Sequence, residues 1–148
     1  MCLTVDYTKI NQYLTQIFNN VLIIEEAALR SSRFSDVSIK EMHTLDSIGE
    51  AKVTTPSDIA KDLMLTVGTV TVSLNRLEKK GYIERYRSES DRRVVHVSLS
   101  HRGRLLYRLH RKFHQKMVKG FVADLPDDSV EILQTGLENL HTFLEEIK

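Results

Sequence analysis

Four arginines cluster in one short segment of this chain, between two stretches rich in β-branched and aromatic residues. Residues 84–97 read ERYRSESDRRVVHV and contain Arg85, Arg87, Arg92 and Arg93. A guanidinium group donates hydrogen bonds in a planar fork that matches phosphate oxygens, and an inserted arginine suits the negative potential of a narrow minor groove. The alternative is a solvated turn with local ion pairs. The segment therefore indicates a polyanion as a candidate partner.

The charge of the whole chain is divided into three blocks of different sign. The net charge is only +1, but residues 1–75 carry 6 basic and 9 acidic side chains, which gives −3. Residues 76–119 carry 14 basic and 4 acidic side chains, giving +10, while residues 120–148 carry 1 and 7, giving −6. A cationic excess confined to the middle of a chain favours a nucleic-acid surface over an ordinary solvated face.

Capping and turn residues predict the elements that must position these arginines. A capping box at residues 38–41 opens a helix that should stop near Gly49. Residues 55–58, TPSD, supply an N-cap, a proline in the first turn and an acid, so a second, short helix follows. Thr66 can cap a third helix that runs to Gly81. Two short helices joined by a few residues are typical of a helix-turn-helix, although two packed structural helices would show the same pattern.

A β-hairpin is predicted directly after these helices. Residues 81–87 and 94–99 alternate as strands, and residues 88–92 are turn formers, so the hairpin would form a wing whose tip reaches a minor groove. Asp91 can orient one of the guanidinium groups at that tip. On the third helix, Asn and Arg can bond base edges, hydroxyls and helix-terminal N–H groups can hold phosphates, and methyl groups can touch thymine. The predicted DNA-binding residues are Thr66, Gly68, Thr69, Thr71, Val72, Asn75, Arg76, Asp91, Arg92 and Arg93.

Both ends of the chain carry heptad-spaced apolar residues. The N-terminal seam consists of Ile10, Leu14, Ile17, Val21 and Ile24, and the C-terminal seam of Val130, Leu133, Leu137, Leu140, Leu144 and Ile147. Such a seam can be the core stripe of an amphipathic helix. Since the middle of this chain has little to cover two long helices, we favour an intermolecular helical stalk and hence a homodimer.

Length and composition restrict the class of protein. A chain of 148 residues with 41% hydrophobic content can bury one core. Neither a membrane span nor a secretory leader is readable, so we expect a cytoplasmic protein with no membrane partner. The single cysteine, Cys2, excludes an internal disulfide framework and is a weak candidate for a redox sensor. No phosphate loop, nucleophile elbow or zincin motif is present, so we predict that the chain is not an enzyme and needs no cofactor.

Three motifs of the middle region follow one another closely: residues 74–83, LNRLEKKGYI, residues 90–93, SDRR, and then Leu99, Ser100 and Gly103. Taken together, they resemble the MarR family of winged helix-turn-helix regulators. The resemblance implies a mainly α fold with a small β-hairpin wing. It also implies a homodimer interlocked through residues 1–34 and 101–148. Residues 35–100 of each protomer would then bind one half of a pseudo-palindromic, A/T-rich DNA duplex.

Further segments are similar to the fatty-acid biosynthesis repressors of this family, found in Gram-positive bacteria. These segments are NQYL at 11–14, IFNNV at 17–21, SIKEMHT at 38–44, GYIER at 81–85 and DRRVVH at 91–96. The resemblance implies long-chain acyl-acyl carrier protein as a corepressor. An apolar acyl channel and a basic helix at residues 102–119 would suit that ligand, although each residue concerned can equally be core or solvated face. The candidate effector-binding residues are Phe18, Leu22, Phe34, Met42, His43, Leu106, Arg108, His110 and Phe113.

Histidines support a rival interpretation. His110 and His114 are four residues apart, a spacing that lets two imidazoles on one helical face share a metal ion. In position, Glu26, His43, His110 and His114 resemble the metal site of the zinc-responsive repressors of the same family. Arg111 and Lys112 oppose this interpretation because cations repel a metal ion. We therefore expect no metal ion, with zinc as the alternative effector.

Overall fold

The computed structural model describes residues 4–147, and Cys2 lies outside this range. Within it, a mainly helical chain carries one small antiparallel sheet. The elements in chain order are α1 (Tyr7–Ser31), α2 (Ile39–Ala51), β1 (Val53–Thr54), α3 (Pro56–Leu63), α4 (Val67–Lys79), β2 (Ile83–Arg87), β3 (Val95–Leu99), α5 (His101–Val122) and α6 (Asp127–Glu146).

The predicted helix starts are confirmed by their capping hydrogen bonds. The Ser38 hydroxyl accepts from the Glu41 amide at 3.2 Å, and the Glu41 carboxylate accepts from the Ser38 amide at 3.1 Å, which completes a capping box. Thr55 accepts from the Asp58 amide at 3.2 Å at the start of α3. Thr66 caps α4 in the same way. Because each bond satisfies an amide that has no partner inside the helix, local sequence defines these boundaries.

Helix α2 ends two residues beyond Gly49, near which its end was predicted. The helix continues to Ala51, and Lys52 ends it with a positive φ of 65°. Gly49 is needed for packing instead, because a Cβ there would lie 2.5 Å from the ring of Tyr107. The Tyr107 hydroxyl also donates to a Glu50 carboxylate oxygen at 2.7 Å, so α5 is held close against α2.

The hairpin predicted for the wing is confirmed, with one strand that the sequence pattern did not indicate. β2 and β3 pair antiparallel with Arg85 opposite Val97, and β1 pairs with the other edge of β3, giving the order β1-β3-β2. β1 is only two residues long, too short for an alternation pattern to be visible. The two edge strands of the sheet both contact helices, β1 contacting α2 and β2 contacting α4, and the wing is thereby anchored.

One apolar core joins the sheet to α2, α3, α4 and the start of α5. Tyr82, directly before β2, is fully buried and donates its hydroxyl to Asp36 at 2.6 Å. Burial, together with the Asp36 carboxylate, raises the pKa of Tyr82 well above its usual value. The fully buried apolar residues besides Tyr82 are Met42, Leu45, Ile48, Ile59, Val70, Leu74, Leu77, Val97 and Leu106. This core fixes the orientation of α4 relative to the wing.

The chain divides into two compact units, one ending at Arg108 and the other beginning at Leu109. The first unit contains all the elements of the winged helix-turn-helix. The second contains the remainder of α5 and all of α6, and none of the residues of α6 is buried in the single chain. The prediction of one dimerisation region formed by residues 1–34 and 101–148 stays a prediction. No helix among residues 4–147 is both long enough and apolar enough to cross a bilayer.

Candidate nucleic-acid interface

Helix α4 has one buried face and one exposed face. Val70, Leu74 and Leu77 point into the core, as an amphipathic helix on the surface of a domain requires. The opposite face carries the predicted DNA contacts of this helix, all of them exposed: Thr66, Gly68, Thr69, Thr71, Val72, Asn75 and Arg76. Val72 is 51% exposed, which is unusual for a valine in a helix that is otherwise firmly packed. The outer face of α4 is therefore free to enter a groove.

The threonine hydroxyls at the start of α4 are already engaged in local hydrogen bonds. Thr66 and Thr69 share a hydroxyl–hydroxyl bond of 2.8 Å, and Thr71 donates to the Val67 carbonyl at 2.8 Å. Back-bonding of this kind turns the polar atom of Thr71 toward the helix. Its methyl group is then the part best placed for an apolar contact with a thymine methyl.

Asn75 is held by a residue that the sequence analysis did not single out as a site residue. Arg85, on β2, donates one bond to the Asn75 side-chain oxygen at 2.8 Å and two to the Glu78 carboxylate at 2.9 and 3.0 Å. The hydrogen bond from Arg85 lowers the pKa of Glu78. Strand alternation could have indicated that Arg85 faces the helices, because it lies on the same face of β2 as the buried Ile83.

The tip of the wing presents its arginines to solvent. The Arg93 side chain is 94% exposed and lies 3.5 Å from Asp91, whose carboxylate also accepts from the Arg93 amide at 3.0 Å. Arg87 donates to the Arg92 carbonyl at 2.7 Å, which braces the turn. Asp91 thus lies beside Arg93 in the turn, and the exposed guanidinium group is available to an anionic partner.

The predicted effector-binding residues are distributed between the core and the surface. Phe34, Met42 and Leu106 are buried in the core, with at most 3% of each exposed. Phe18 and Leu22 are exposed on α1. In the second unit, Phe113 is partly buried beside His110, with ring centroids 6.5 Å apart. An acyl chain can reach Met42 and Leu106 only if core side chains move apart.

Arg108 lines a cavity of about 330 Å³ at the junction of α2, the sheet and α5. Lys52 and Arg104 lie at the same cavity, and Tyr107 and Leu99 supply apolar surface. Glu84 is the one acidic side chain among its lining residues. The cavity therefore combines three cations with an apolar wall, a combination suited to an anion attached to an apolar group.

The predicted metal site takes Glu26 and His43 from the first unit and His110 and His114 from the second. In the first unit, His43 lies 3.7 Å from the carboxylate of Glu25, which is buried, whereas Glu26 is turned to Arg30 at 2.7 Å. The carboxylate beside His43 is therefore that of Glu25 and not that of Glu26. In the second unit, the Nε2 atoms of His110 and His114 are 3.3 Å apart.

Comparison with known proteins agrees with this geometry. Residues 37–95 match the model of the MarR family. The chain is 32% identical over 114 residues to the uncharacterized HTH-type transcriptional regulator YfiV of Bacillus subtilis, covering 76% of this chain and 71% of YfiV. It is similar to the crystal structure of Streptococcus pneumoniae FabT in complex with DNA, with 58% identity, a TM-score of 0.90, and coverage of 97% of this chain and 100% of FabT.

A more distant structure shows the same fold. The reduced form of MarR from E. coli is 25% identical, with a TM-score of 0.64 and coverage of 93% of this chain and 97% of that one. The predicted family and the fold class are thus confirmed, as is the absence of an enzymatic role. The chain belongs to the MarR family of winged helix-turn-helix transcriptional regulators, where it is FabT-like.

Proposed function

We propose that this chain is a sequence-specific repressor of fatty-acid biosynthesis genes that binds pseudo-palindromic, A/T-rich DNA as a homodimer. The observation that carries the proposal is the exposed outer face of α4 beside a wing whose Arg93 is 94% exposed. A helix of this kind reads the major groove while the wing follows the adjacent minor groove. The likeness to FabT, solved with DNA, supports the same use of this surface.

Exposed apolar residues on the terminal helices support the homodimer. Ile10, Ile17 and Ile24 on α1 are each 46–52% exposed, and Leu137 and Leu144 on α6 are 49% and 47% exposed. Leaving two apolar seams in water is unfavourable, by about 25 cal/mol for each Å² of apolar surface. A second copy of the chain would cover both seams, and a two-fold symmetric dimer matches a pseudo-palindrome.

Long-chain acyl-acyl carrier protein is the corepressor that we propose. Carrier proteins of this type are acidic, and the cavity lined by Lys52, Arg104 and Arg108 offers three cations where such a partner could dock. The acyl chain would enter the apolar region that includes Phe18 and Leu22, which are exposed, and would reach Met42 after displacement of core side chains. Such displacement gives the ligand a means to favour one conformation over another.

Zinc is the alternative effector because of the histidine pair formed by His110 and His114. Zinc–nitrogen bonds of about 2.0–2.1 Å in a tetrahedral site place two ligand nitrogens roughly 3.3–3.4 Å apart. The Nε2 atoms of His110 and His114 are separated by 3.3 Å. An N–H···N hydrogen bond between the two rings fits the same distance.

Operator affinity measured with each candidate effector distinguishes these proposals. The protein first selects a duplex from a random pool, and anisotropy titrations at one fixed salt concentration then compare acylated carrier, free carrier, zinc and chelator. We expect tightening by acylated carrier alone, and loss of that response in Arg108→Glu with basal affinity nearly unchanged. Tightening by micromolar zinc that His114→Ala eliminates would overturn the lipid proposal. Failure to select any sequence would overturn the DNA-binding role itself.

A further inference from the structure

Arg85 lies on β2, and its side chain contacts Asn75 on the exposed face of α4. Its side chain leaves β2 on the same face as the buried Ile83 and extends toward the C-terminal half of α4. Only 24% of the side chain is exposed, compared with 94% for Arg93 at the wing tip. Arg85 is thus withdrawn from the surface on which DNA would lie.

Arg85 is itself held in place by Glu78, one turn of α4 beyond Asn75. Its Nε and Nη2 atoms donate to the two carboxylate oxygens of Glu78 at 3.0 and 2.9 Å, a two-pronged contact that fixes the plane of the guanidinium group. The hydrogen bond from Nη2 to Asn75, at 2.8 Å, therefore comes from a donor that has little freedom to follow the amide.

This contact decides which end of the Asn75 amide faces outward. A guanidinium group only donates hydrogen bonds, so the atom of Asn75 that faces Arg85 must be the oxygen. The amide nitrogen, with its two N–H donors, is then turned away from Arg85. A flipped amide would set N–H donors against N–H donors, so the hydrogen-bonding chemistry fixes the orientation of the amide.

A side chain that both donates and accepts hydrogen bonds prefers different bases in the major groove from a side chain that only donates. An unrestrained asparagine prefers adenine, donating to N7 while its oxygen accepts from the N6 amino group. Guanine instead shows two acceptors, N7 and O6, and thymine shows the acceptor O4. Because its oxygen is directed at Arg85, Asn75 turns its two N–H donors outward. Two donors match the acceptors N7 and O6 of guanine, or O4 of thymine, better than adenine, whose N7 lies beside the N6 donor.

We propose that Arg85 is a specificity-determining positioning residue, which makes Asn75 a hydrogen-bond donor that selects guanine or thymine over adenine at one operator position. The inference rests on the proposed entry of α4 into the major groove. Arg85 itself need not touch DNA, and it acts only through Asn75. Glu78 has the supporting role of keeping the guanidinium group directed at the amide.

Binding-site selection with wild type, Arg85→Ala, Asn75→Ala and the double variant tests this inference. We expect Arg85→Ala to shift the preference at one position toward adenine, changing discrimination there by about tenfold. In the Asn75→Ala background, Arg85→Ala should leave the preference at that position unchanged. Arg85→Met serves as a second variant, because it keeps the apolar stem that packs beside α4 and removes every donor. Thermal unfolding of each variant establishes that it is folded.

Arg30→Ala is the matched control, because Arg30 also pairs with a glutamate, Glu26, and its loss removes the same charge. It should leave base preference unchanged. An unaltered preference profile in folded Arg85→Ala or Arg85→Met refutes the inference while leaving the DNA-binding proposal intact. An equal shift in the Asn75→Ala background also refutes it, since Arg85 would then act independently of Asn75. If wild type selects no sequence, the proposed function has failed and not merely this inference.

Discussion

Single side chains at the wing tip should affect DNA binding without affecting the fold. The Arg93 side chain lies 3.5 Å from Asp91 and is 94% exposed. We expect Arg93→Ala to weaken operator binding by about 1–3 kcal/mol, because it removes a guanidinium group from the minor groove. Anisotropy at moderate salt measures the change. Arg30→Ala, with the same loss of charge on α1, should bind almost as wild type, and equal losses in both variants would contradict a specific wing contact.

Tyr82 should make stability fall at alkaline pH. Burial and Asp36 raise its pKa in the folded state above the usual value of 10.0, so its contribution is complete below about pH 10 and is lost as pH rises toward the folded value. Over that window the unfolded chain loses one proton that the folded chain keeps. The free energy of unfolding therefore falls by about 1.4 kcal/mol per pH unit. Urea unfolding of wild type and Tyr82→Phe at pH 8 and pH 11 measures the difference. Parallel pH dependence in the two proteins would contradict the assignment.

At the scale of elements, the two glycines of α5 should differ in their tolerance of alanine. A Cβ at Gly103 would overlap the backbone carbonyl of Tyr82, whereas nothing lies within 4 Å of a Cβ at Gly120. We expect Gly103→Ala to destabilise the protein by at least about 1–3 kcal/mol, because backbone cannot move aside as a side chain can. Gly120→Ala should be neutral or stabilising by up to about 1 kcal/mol, since alanine is the better helix former. Chemical denaturation of both variants checks this contrast, and equal stabilities would refute it.

At the scale of the whole molecule, assembly should control stability. Leu137 is 49% exposed in the single chain and belongs to the C-terminal seam. Leu137→Glu places a charge in the proposed interface, so we expect a lower unfolding temperature and loss of the dimer. Asn139→Glu introduces the same charge on the same helix, outside the seam, and should remain dimeric. Sedimentation gives the oligomeric state, and a folded, DNA-binding monomer from Leu137→Glu would contradict the interlocked dimer.

Wild-type protein offers an independent test of assembly. If folding and dimerisation are linked, the unfolding temperature rises with protein concentration, because mass action favours the associated state. Scanning calorimetry over a hundredfold range of concentration measures this dependence. An unfolding temperature independent of concentration would indicate that the chain is stable as a monomer.

Local sequence alone determined the parts of this protein that depend on near neighbours along the chain. The caps at Ser38, Thr55 and Thr66 satisfy amides three residues away, so donor and acceptor belong to the same four-residue segment. The hairpin of β2 and β3 follows from alternation around a turn, and the charge blocks follow from composition. Together with the family motifs, these features sufficed to predict the winged helix-turn-helix.

Tertiary structure decided whatever depends on residues far apart in sequence. Gly49 was expected near the end of α2. Its role instead is to leave room for the ring of Tyr107 on α5, which a Cβ at this position would overlap. Whether Glu25 or Glu26 faces His43 depends on the rotation of α1 against α2, which spacing within one helix does not define. The restraint of Asn75 by Arg85 likewise arises only when β2 packs beside α4, because a hydrogen bond between two elements exists only once the core has set their distance and angle.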